Sequence, residues 1–312
     1  QGEVGGTPVL SMNGNRWVGL GHNSVFQDFD GQWWTVYHAV DQNDPYFEGA
    51  VGFTKRPVLL DPLDWIDGWP TVRGGFWASD NPVAVPAAQP GTKTNYHVKI
   101  LSPDQPGKLL ASFSDEFNGT LGPQWSWVRQ PDASTYSVSS ETFDFDTQAA
   151  DLFVDSNNAS VLLESAPNGN YVVETRVHLD LAPEGCCFNF VQAGLVIYSD
   201  DNNYVKLVEV SIWETRQTEF AKELFPVPEG YPRYGNTVVS APGEWTYLRI
   251  VKRNKAGEEL YTAYTSRDGI NWTRGGTWTH ELGSNASIGL VSMGGSGFTA
   301  NFDYVRVYRL KG

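Results

Sequence analysis

A histidine in the run GLGHNSV has the clearest potential for chemistry in this chain. His22 follows Gly21 and precedes Asn23 and Ser24, so polar groups cluster around one imidazole. A neutral imidazole can ligate a metal ion through one ring nitrogen while the other donates a hydrogen bond. The alternative is a core histidine that bonds to the backbone. His22 is therefore a candidate ligand for a metal or a polar substrate, with Asn23 and Ser24 lining the same pocket.

An arginine in the run KRPVLLDPLDW is the second candidate. The guanidinium of Arg56 could orient a carboxyl group and shift its pKa, because it is a planar, permanently charged donor. A surface salt bridge is the alternative. His38 and Asp41, in VYHAVD, fit packing against a neighbouring element as well as contact with a ligand.

Composition limits the partners of the chain. The 312 residues carry a net charge of −14, and such an acidic surface repels phosphate backbones, so no nucleic acid partner is expected. No apolar run reaches the roughly 18 residues that a membrane helix requires, so no membrane partner is expected. The 12 Trp, 14 Tyr, 16 Phe and 32 Gly favour an all-β protein with a sugar-binding surface, although aromatic side chains also fill sandwich cores.

The two cysteines, Cys186 and Cys187, are neighbours, and this spacing excludes a redox CxxC motif. A strained vicinal disulfide, pairing with another chain and two buried thiols all stay open. Asn-X-Ser/Thr sequences permit secretion through a glycosylating pathway, and we expect an extracellular protein. The start QGEVGGTPVL has neither Met nor a leader, so we expect the N-terminus to be a product of processing or cleavage.

Residues 1–88 have the pattern of strands and turns, without a helix period. Two β-rich runs, WVGLGHNSVFQD and QWWTVYHAV, flank the Asp30-Gly31 turn and predict a hairpin. EGAVGFTKR and PVLLDPLDW are expected to form the next strand pair, with Pro57 at its edge.

The run DPLDWIDGWP ends this strand-rich part of the chain. We expect Asp61, Pro62 and Asp64 to form turns. The tryptophans Trp65 and Trp69 are expected to be structural.

The pattern changes beyond residue 88. Residues 89–111, with the Pro- and Ala-rich run that leads into them, predict an extended linker. From residue 112 to 312 short alternating strands recur between turn signals such as DDNN and Asp268-Gly269, which favours an independent antiparallel sandwich or barrel.

Three motifs in order resemble the last part of glycoside hydrolase family 43. They are GHNSV, WWTVYHA and the pattern R-P-x-x-x-D-P-x-x-W-x-D-G-W-P, and the resemblance runs from about Thr7 to Gly75. The family has a five-bladed β-propeller and contains α-L-arabinofuranosidases, arabinanases and β-xylosidases. The resemblance implies an all-β chain: the final blade or blades of a propeller, followed by an antiparallel β-sandwich of the jelly-roll type.

The family resemblance implies inverting hydrolysis by an acid and a base carboxyl group about 6.5–9.5 Å apart. In the family these groups lie on earlier blades, and Glu3 is the sole acidic residue ahead of the GHNSV run, with none of the expected flanking pattern. We therefore assign no catalytic residue to this chain. By resemblance, His22 faces the active-site funnel, near a central ion or the sugar, and Arg56 contacts the substrate or the general acid.

The sandwich also resembles a known group. SFSDEFNGTLGPQWSWVR is similar to the opening of the domain that follows the propeller in many members, and NFDYVRVYRL is similar to the closing strand of concanavalin-like jelly rolls. This implies that the first and last strands lie side by side. It also implies a structural calcium ion between them, bound by Asp115 and Asp303, with Glu116 as a possible third ligand.

The hypothesis that joins these observations is a secreted α-L-arabinofuranosidase acting on plant cell-wall polysaccharides that contain arabinose or xylose. The chain would be the C-terminal part of a cleaved or two-chain enzyme, with an N-terminal propeller portion as its partner, because residues 1–88 are too few to close a propeller. A β-xylosidase of the same family, a non-catalytic carbohydrate-binding protein and a structural or adhesion domain are the alternatives.

Overall fold

The computed structural model of the chain describes residues 7–139, 141–180, 188–213 and 215–312, with only the backbone described at Val51. Glu3, Cys186 and Cys187 lie outside the described residues, so the expectations for them stay predictions. The described elements are β-strands and three short 3-10 turns, which confirms the all-β class. No helix in these ranges is long and apolar enough to cross a membrane.

The N-terminal unit comprises Pro8–Pro103 together with Pro228–Tyr231. One antiparallel sheet has the order β1-β2-β5-β6, and β3 and β4 form a separate hairpin. A four-stranded antiparallel sheet is the unit of a propeller blade, and we call this sheet the blade. The strands are β1 (Trp17–Gln27), β2 (Trp33–Asp41), β3 (Tyr46–Phe47), β4 (Ala50–Thr54), β5 (Val58–Ile66) and β6 (Trp69–Val72).

Strand pairing in the blade agrees with one sequence prediction and corrects another. The hairpin around Asp30-Gly31 is confirmed, since β1 and β2 are antiparallel neighbours on either side of that turn. The predicted pairing of EGAVGFTKR with PVLLDPLDW is wrong, because β4 pairs with β3, while β5 pairs with β2 and β6.

Two carboxyl groups that were expected in turns lie buried inside strand β5. Asp61 accepts hydrogen bonds from the Tyr37 hydroxyl at 2.5 Å and the Ser79 backbone N–H at 3.1 Å. Asp64 accepts from the Gly74 backbone N–H at 2.7 Å and the Tyr96 hydroxyl at 2.8 Å. The turn prediction is wrong because these long-range donors reach the carboxyl groups inside the strand, and the guanidinium of Arg73 lies 3.6 Å from the other oxygen of Asp61.

The Pro- and Ala-rich segment before residue 103 lies in extended contact with the blade. The Ala87 backbone N–H donates to Asp28 at 3.0 Å, the Thr94 N–H donates to Asp30 at 3.0 Å, and the Leu101 N–H donates to the Gly74 carbonyl at 2.8 Å. Gly74 has a φ of 60°, and a Cβ there would lie 2.0 Å from the Lys99 carbonyl oxygen, so this approach requires glycine.

The C-terminal unit is a two-sheet sandwich from Asp104 onward. The first sheet has the order β21-β20-β19-β14-β23-β10-β9, with β7 added beside β23, and the second has the order β18-β17-β16-β15-β22-β13-β8. The strands are β7 (Pro106–Leu109), β8 (Ser126–Val128), β9 (Tyr136–Ser139), β10 (Thr142–Asp146), β11 (Leu152–Phe153), β12 (Ser156–Asn157), β13 (Val161–Ser165), β14 (Tyr171–Leu179), β15 (Gln192–Asp200), β16 (Asn203–Ile212), β17 (Thr215–Glu223), β18 (Tyr234–Val238), β19 (Thr246–Lys255), β20 (Glu258–Ser266), β21 (Thr273–Thr279), β22 (Ser287–Met293) and β23 (Thr299–Leu310).

The sandwich begins within the stretch that was predicted as a linker. β7 pairs with the last strand, β23, so residues 106–109 of the predicted linker 89–111 belong to a sheet. This pairing confirms that the first and last strands lie side by side. Residues such as Leu207, Ile250 and Phe302 are fully buried in this unit, as expected for a domain that forms its own core.

Candidate functional site

Three side chains that the sequence singled out lie at one end of the blade: His22, His38 and Arg56. The rings of His22 and His38 have centroids 6.0 Å apart. His38 lies between the other two, because its strand pairs with Gly21 on one side and with Val58, just after Arg56, on the other. The antiparallel order of β1, β2 and β5 therefore brings together residues that are up to 34 positions apart in sequence.

The backbone of β1 is irregular where His22 lies. The pairing of β1 with β2 has two register shifts, one on each side of Gly21. Gly19 and His22 have φ values of 59° and 51°, a region that a non-glycine residue adopts at a cost. Such local strain is common at functional sites. The imidazole of His22 is exposed on β1, the edge strand of the blade.

Burial and neighbouring positive charge favour the neutral form of the central imidazole, His38. Partial burial lowers the pKa of His38, and the positive charge of Arg56 and the neighbouring His22 lower it further. A neutral imidazole can both accept and donate a hydrogen bond. The guanidinium of Arg56 donates to the Thr54 hydroxyl at 3.1 Å, and within the described residues it forms no ion pair with a carboxylate. The cluster can therefore bind sugar hydroxyls and orient a carboxyl group.

Carboxylates of the same unit have other partners. Asp41 lies 3.7 Å from Arg16, and Asp44 lies 2.6 Å from Lys55. Asp61 and Asp64 are buried, and burial raises the pKa of both carboxyl groups above the usual range. They hold the backbone around residues 74 and 79, so we assign them a structural role.

The remaining candidates of the blade are exposed. Asn23 and Ser24 follow His22 on β1, and their contact with a ligand stays a prediction. Trp65 and Trp69 lie on the β5–β6 hairpin with 54% and 50% of their surface exposed, and Trp65 makes an edge contact with Trp33 at 6.2 Å.

Asp115 and Asp303, the predicted calcium ligands, accept hydrogen bonds from protein donors. Asp115 accepts from the Phe117 N–H at 2.9 Å, the Gly122 N–H at 2.9 Å and the Trp125 indole N–H at 2.8 Å. Asp303 accepts from Arg176 at 3.0 Å. Both oxygens of Asp115 and Oδ2 of Asp303 therefore have protein donors, and calcium binding by this pair stays a prediction.

Glu116, the suggested third ligand, binds the guanidinium of Arg306 through both carboxylate oxygens at 2.7 Å. In the part of the chain that the structure describes, no group of three His, Cys, Asp or Glu residues could hold a metal ion. Metal ligation by His22 would need ligands from elsewhere and stays a prediction.

The sequence did not distinguish a binding role for His38 from a packing role. Its position in VYHAVD suggested packing as much as ligand contact, and only the strand pairing places it between His22 and Arg56. The signal that could have identified it is the register of the predicted β1–β2 hairpin, which sets Gly21 opposite His38.

Family models match both parts of the chain in order. Glycosyl hydrolases family 43 matches residues 3–70, and the beta xylosidase C-terminal concanavalin A-like domain matches residues 114–308, more than half of the chain.

Individual relatives agree with these matches. A non-reducing end alpha-L-arabinofuranosidase of Bacteroides ovatus, BoGH43B, is 26% identical over 90% of this chain and 50% of its own length. A beta-xylosidase of Formosa agariphila is 25% identical over 37% of this chain and 17% of its own length. The solved structure of a variant of the GH43 protein BlXynB from Bacillus licheniformis has a TM-score of 0.51 at 21% identity, covering 97% of this chain and 56% of that one, which supports the fold.

The chain spans about half the length of the arabinofuranosidase it matches. The blade, the sandwich that follows it in sequence and the two family matches in that order lead to one assignment: this chain belongs to the family of the beta xylosidase C-terminal concanavalin A-like domain, and its residues 3–70 match glycosyl hydrolases family 43.

Proposed function

We propose that this chain is the C-terminal part of a secreted, inverting α-L-arabinofuranosidase that acts on plant cell-wall polysaccharides containing arabinose or xylose. The observation that carries the proposal is the matching order of a family 43 blade and its concanavalin A-like domain in one chain. The alignment with an arabinofuranosidase over 90% of this chain favours that substrate over xylosides.

The catalytic acid and base belong, in this proposal, to a propeller portion that joins the blade as a separate chain or as a longer form of the same protein. Large apolar side chains that stay exposed on the N-terminal unit support this: Phe53 is 73% exposed and Val58 is 74% exposed. An apolar surface that another element covers would expose side chains of this kind when the unit is described without that element.

In this mechanism His22 and His38 bind hydroxyl groups of the sugar, and Arg56 orients the carboxyl group of the general acid. The acid protonates the leaving oxygen while the base activates a water on the opposite face of the sugar. A cation beside the acid holds it in position and affects its pKa, so Arg56 contributes to the rate without transferring a proton itself.

The test begins with intact-mass spectrometry and native size analysis of the same purified sample. We expect a second polypeptide, or a mass above the 34.6 kDa of this chain, and activity on an aryl α-L-arabinofuranoside with inversion of the anomeric carbon seen by NMR. Higher activity on the aryl β-D-xyloside would support the beta-xylosidase alternative, which the Formosa agariphila relative favours. A lone 34.6 kDa species that hydrolyses neither compound would refute the enzyme hypothesis and leave carbohydrate binding as the leading account.

Variants of His22 and Arg56 test whether these side chains contribute to the reaction. In the active assembly we expect Arg56→Ala and His22→Ala each to lower kcat/KM about tenfold or more, which corresponds to about 1.4 kcal/mol of transition-state stabilisation. Asp80→Ala, at an exposed position of the same unit, is the matched control and should leave kcat/KM unchanged.

A further inference from the structure

A polar cavity of about 200 Å³ opens at one end of the sandwich. Its walls come from the β13–β14 turn, the β19–β20 hairpin and the loop before β22. Tyr171, Lys252 and Tyr261 form one row across three strands, because Lys252 pairs directly with Tyr171 on one side and with Tyr261 on the other. Glu259 lies beside this row and also lines the cavity.

The hydroxyl of Tyr171 is buried in this wall without a hydrogen-bond partner among the described residues. Tyr171 is only 2% exposed, so bulk solvent does not compensate its hydroxyl group. Buried polar groups in proteins are nearly always bonded, and an unbonded one calls for an explanation such as a bound ligand. A group that enters the cavity can supply the missing bond.

A charge pair is fixed beside the Tyr171 hydroxyl. Lys252 lies 3.0 Å from Glu259 Oε1, and Glu259 Oε2 accepts from the Tyr261 hydroxyl at 2.9 Å and the Leu282 N–H at 3.0 Å. Burial alone would raise the pKa of Glu259, but the hydrogen bonds from Lys252 and Tyr261 outweigh it and lower that pKa. The two side chains are therefore held in place, and their opposite charges offset each other.

The charges and hydrogen-bonding groups of this wall determine which class of ligand it can bind. The negative charge of Glu259 repels an anion, and the positive charge of Lys252 is already paired with Glu259. Phosphate and carboxylate ligands are therefore poor matches. An ammonium has three donors, and Glu259 uses one of those of Lys252. Donors, a carboxylate acceptor and an unpaired hydroxyl in close proximity match the adjacent hydroxyl groups of a neutral sugar. The cavity is smaller than the 300 Å³ or more of typical drug-sized pockets, so it suits a single sugar ring.

We propose that this cavity binds one neutral pentose residue of a polysaccharide chain, and that Tyr171, Lys252 and Glu259 supply its hydrogen bonds. The choice of a pentose rests on the proposed function, whereas the choice of a neutral sugar rests on the cavity itself. The sandwich then anchors the polysaccharide through a site that the blade does not contribute to.

Binding is measured on the full chain by hydrogen exchange and mass spectrometry during titration with L-arabinose, D-xylose and D-glucose. We expect saturable protection of peptides covering residues 166–171 and 252–261 with a pentose at tens of millimolar. Protection by D-glucose alone would overturn the pentose assignment. No saturable protection by any of the three sugars would overturn the site.

Tyr171→Phe is the decisive variant because it removes only the unpaired hydroxyl. We expect it to weaken pentose binding at least fivefold while the melting temperature stays level or rises, since no hydrogen bond within the protein is lost. Tyr308→Phe, on β23 and outside the cavity, should bind like the unchanged protein. Equal affinity of Tyr171→Phe and the unchanged protein would overturn the proposal.

Activity on the aryl arabinofuranoside is measured in parallel with the same variants. Pentose binding without hydrolysis by the chain assembled with its propeller portion would refute the proposed enzyme and leave the cavity as a sugar site. Hydrolysis without binding would refute the cavity site alone.

Discussion

The sandwich and the blade differ in how they cover their apolar side chains. The sandwich packs two sheets face to face, and side chains such as Val205 and Phe302 are completely buried. The blade is one sheet with a hairpin, and Phe53 and Val58 of its unit are largely exposed. A sheet buries an apolar face only against a second layer. The sandwich meets this requirement with its second sheet, whereas the blade unit buries only small apolar clusters, such as Leu63, Val72 and Trp77, and leaves other apolar side chains exposed.

Buried polar groups show the same contrast. The sandwich buries charge in pairs between neighbouring strands, as with Arg249 and Glu174 at 2.7 Å. The blade buries Asp61 and Asp64 against hydroxyl and backbone donors from β2 and from the segment that follows β6. The comparison teaches that the sandwich forms a core between its own two sheets, whereas the blade leaves apolar side chains exposed that the proposed propeller portion would cover.

The largest expected effect is a pH dependence that belongs to the sandwich. Glu164 is 2% exposed, and neither of its carboxylate oxygens has a hydrogen-bond partner among the described residues. Burial raises the pKa of Glu164 to about 8, and the negative charge of Asp115 adds to the rise. Between pH 4.5 and 8 the folded state keeps this proton while the unfolded state releases it. The stabilising contribution is therefore complete below pH 4.5 and is lost as the pH rises to 8.

The variant Glu164→Gln tests whether the protonation of Glu164 makes stability fall as the pH rises. The free energy of unfolding of the unchanged protein should fall by about 1.4 kcal/mol per pH unit across that window through this one group. The variant should lack that slope in urea unfolding at a series of pH values. Glu258→Gln, at an exposed position, is the control and should keep it. Parallel curves for all three proteins would contradict the assignment of the proton to Glu164.

The next effect concerns the blade alone. Asp61→Ala leaves the Tyr37 hydroxyl and the Ser79 N–H without their acceptor, which we expect to cost about 3 kcal/mol. Hydrogen exchange of peptides from residues 33–79 should accelerate, while sandwich peptides keep their rates. Asp80→Ala, at an exposed position, should change neither set. Equal acceleration in both units would show that the blade and the sandwich unfold as one.

The smallest effect on stability is expected at the exposed apolar side chains. Phe53→Ser should alter the free energy of unfolding by less than about 0.5 kcal/mol, because the ring is 73% exposed. The same change should weaken binding of the propeller portion, measured as the fraction that co-migrates in native size analysis. Phe153→Ser, at a 47% exposed position of the sandwich, is the matched control and should leave co-migration unchanged. An unaltered complex with Phe53→Ser would show that this part of the N-terminal unit is not the contact surface.

Much of the fold was predictable because its signals are local. Alternation of apolar and polar residues predicted strands such as β14 and β16, and Asp268-Gly269 lies at a turn because Asp268 accepts from the N–H groups of Ile270 and Asn271. The strand pairing of residues 46–66 was not predictable from local signals. β4 pairs with β3 in a separate hairpin, and β5 pairs with the more distant β2. The candidate site was predictable in part: His22 and Arg56 stand in recognisable motifs, but their proximity to His38 requires the register of three strands.

By itself the sequence determined the strand-rich class, the order of blade and sandwich, and the family motifs, because periodicity, turn residues and motif spacing are properties of neighbouring residues. Only the tertiary structure decided which polar groups are compensated. Asp115 looked like a calcium ligand, yet it is satisfied by Trp125 and two backbone N–H groups. The Tyr171 hydroxyl carries no sequence signal, yet it lies in a cavity wall without a hydrogen-bond partner among the described residues. The physical reason is that the balance between desolvation and hydrogen bonding depends on groups that are distant in the chain and near in space.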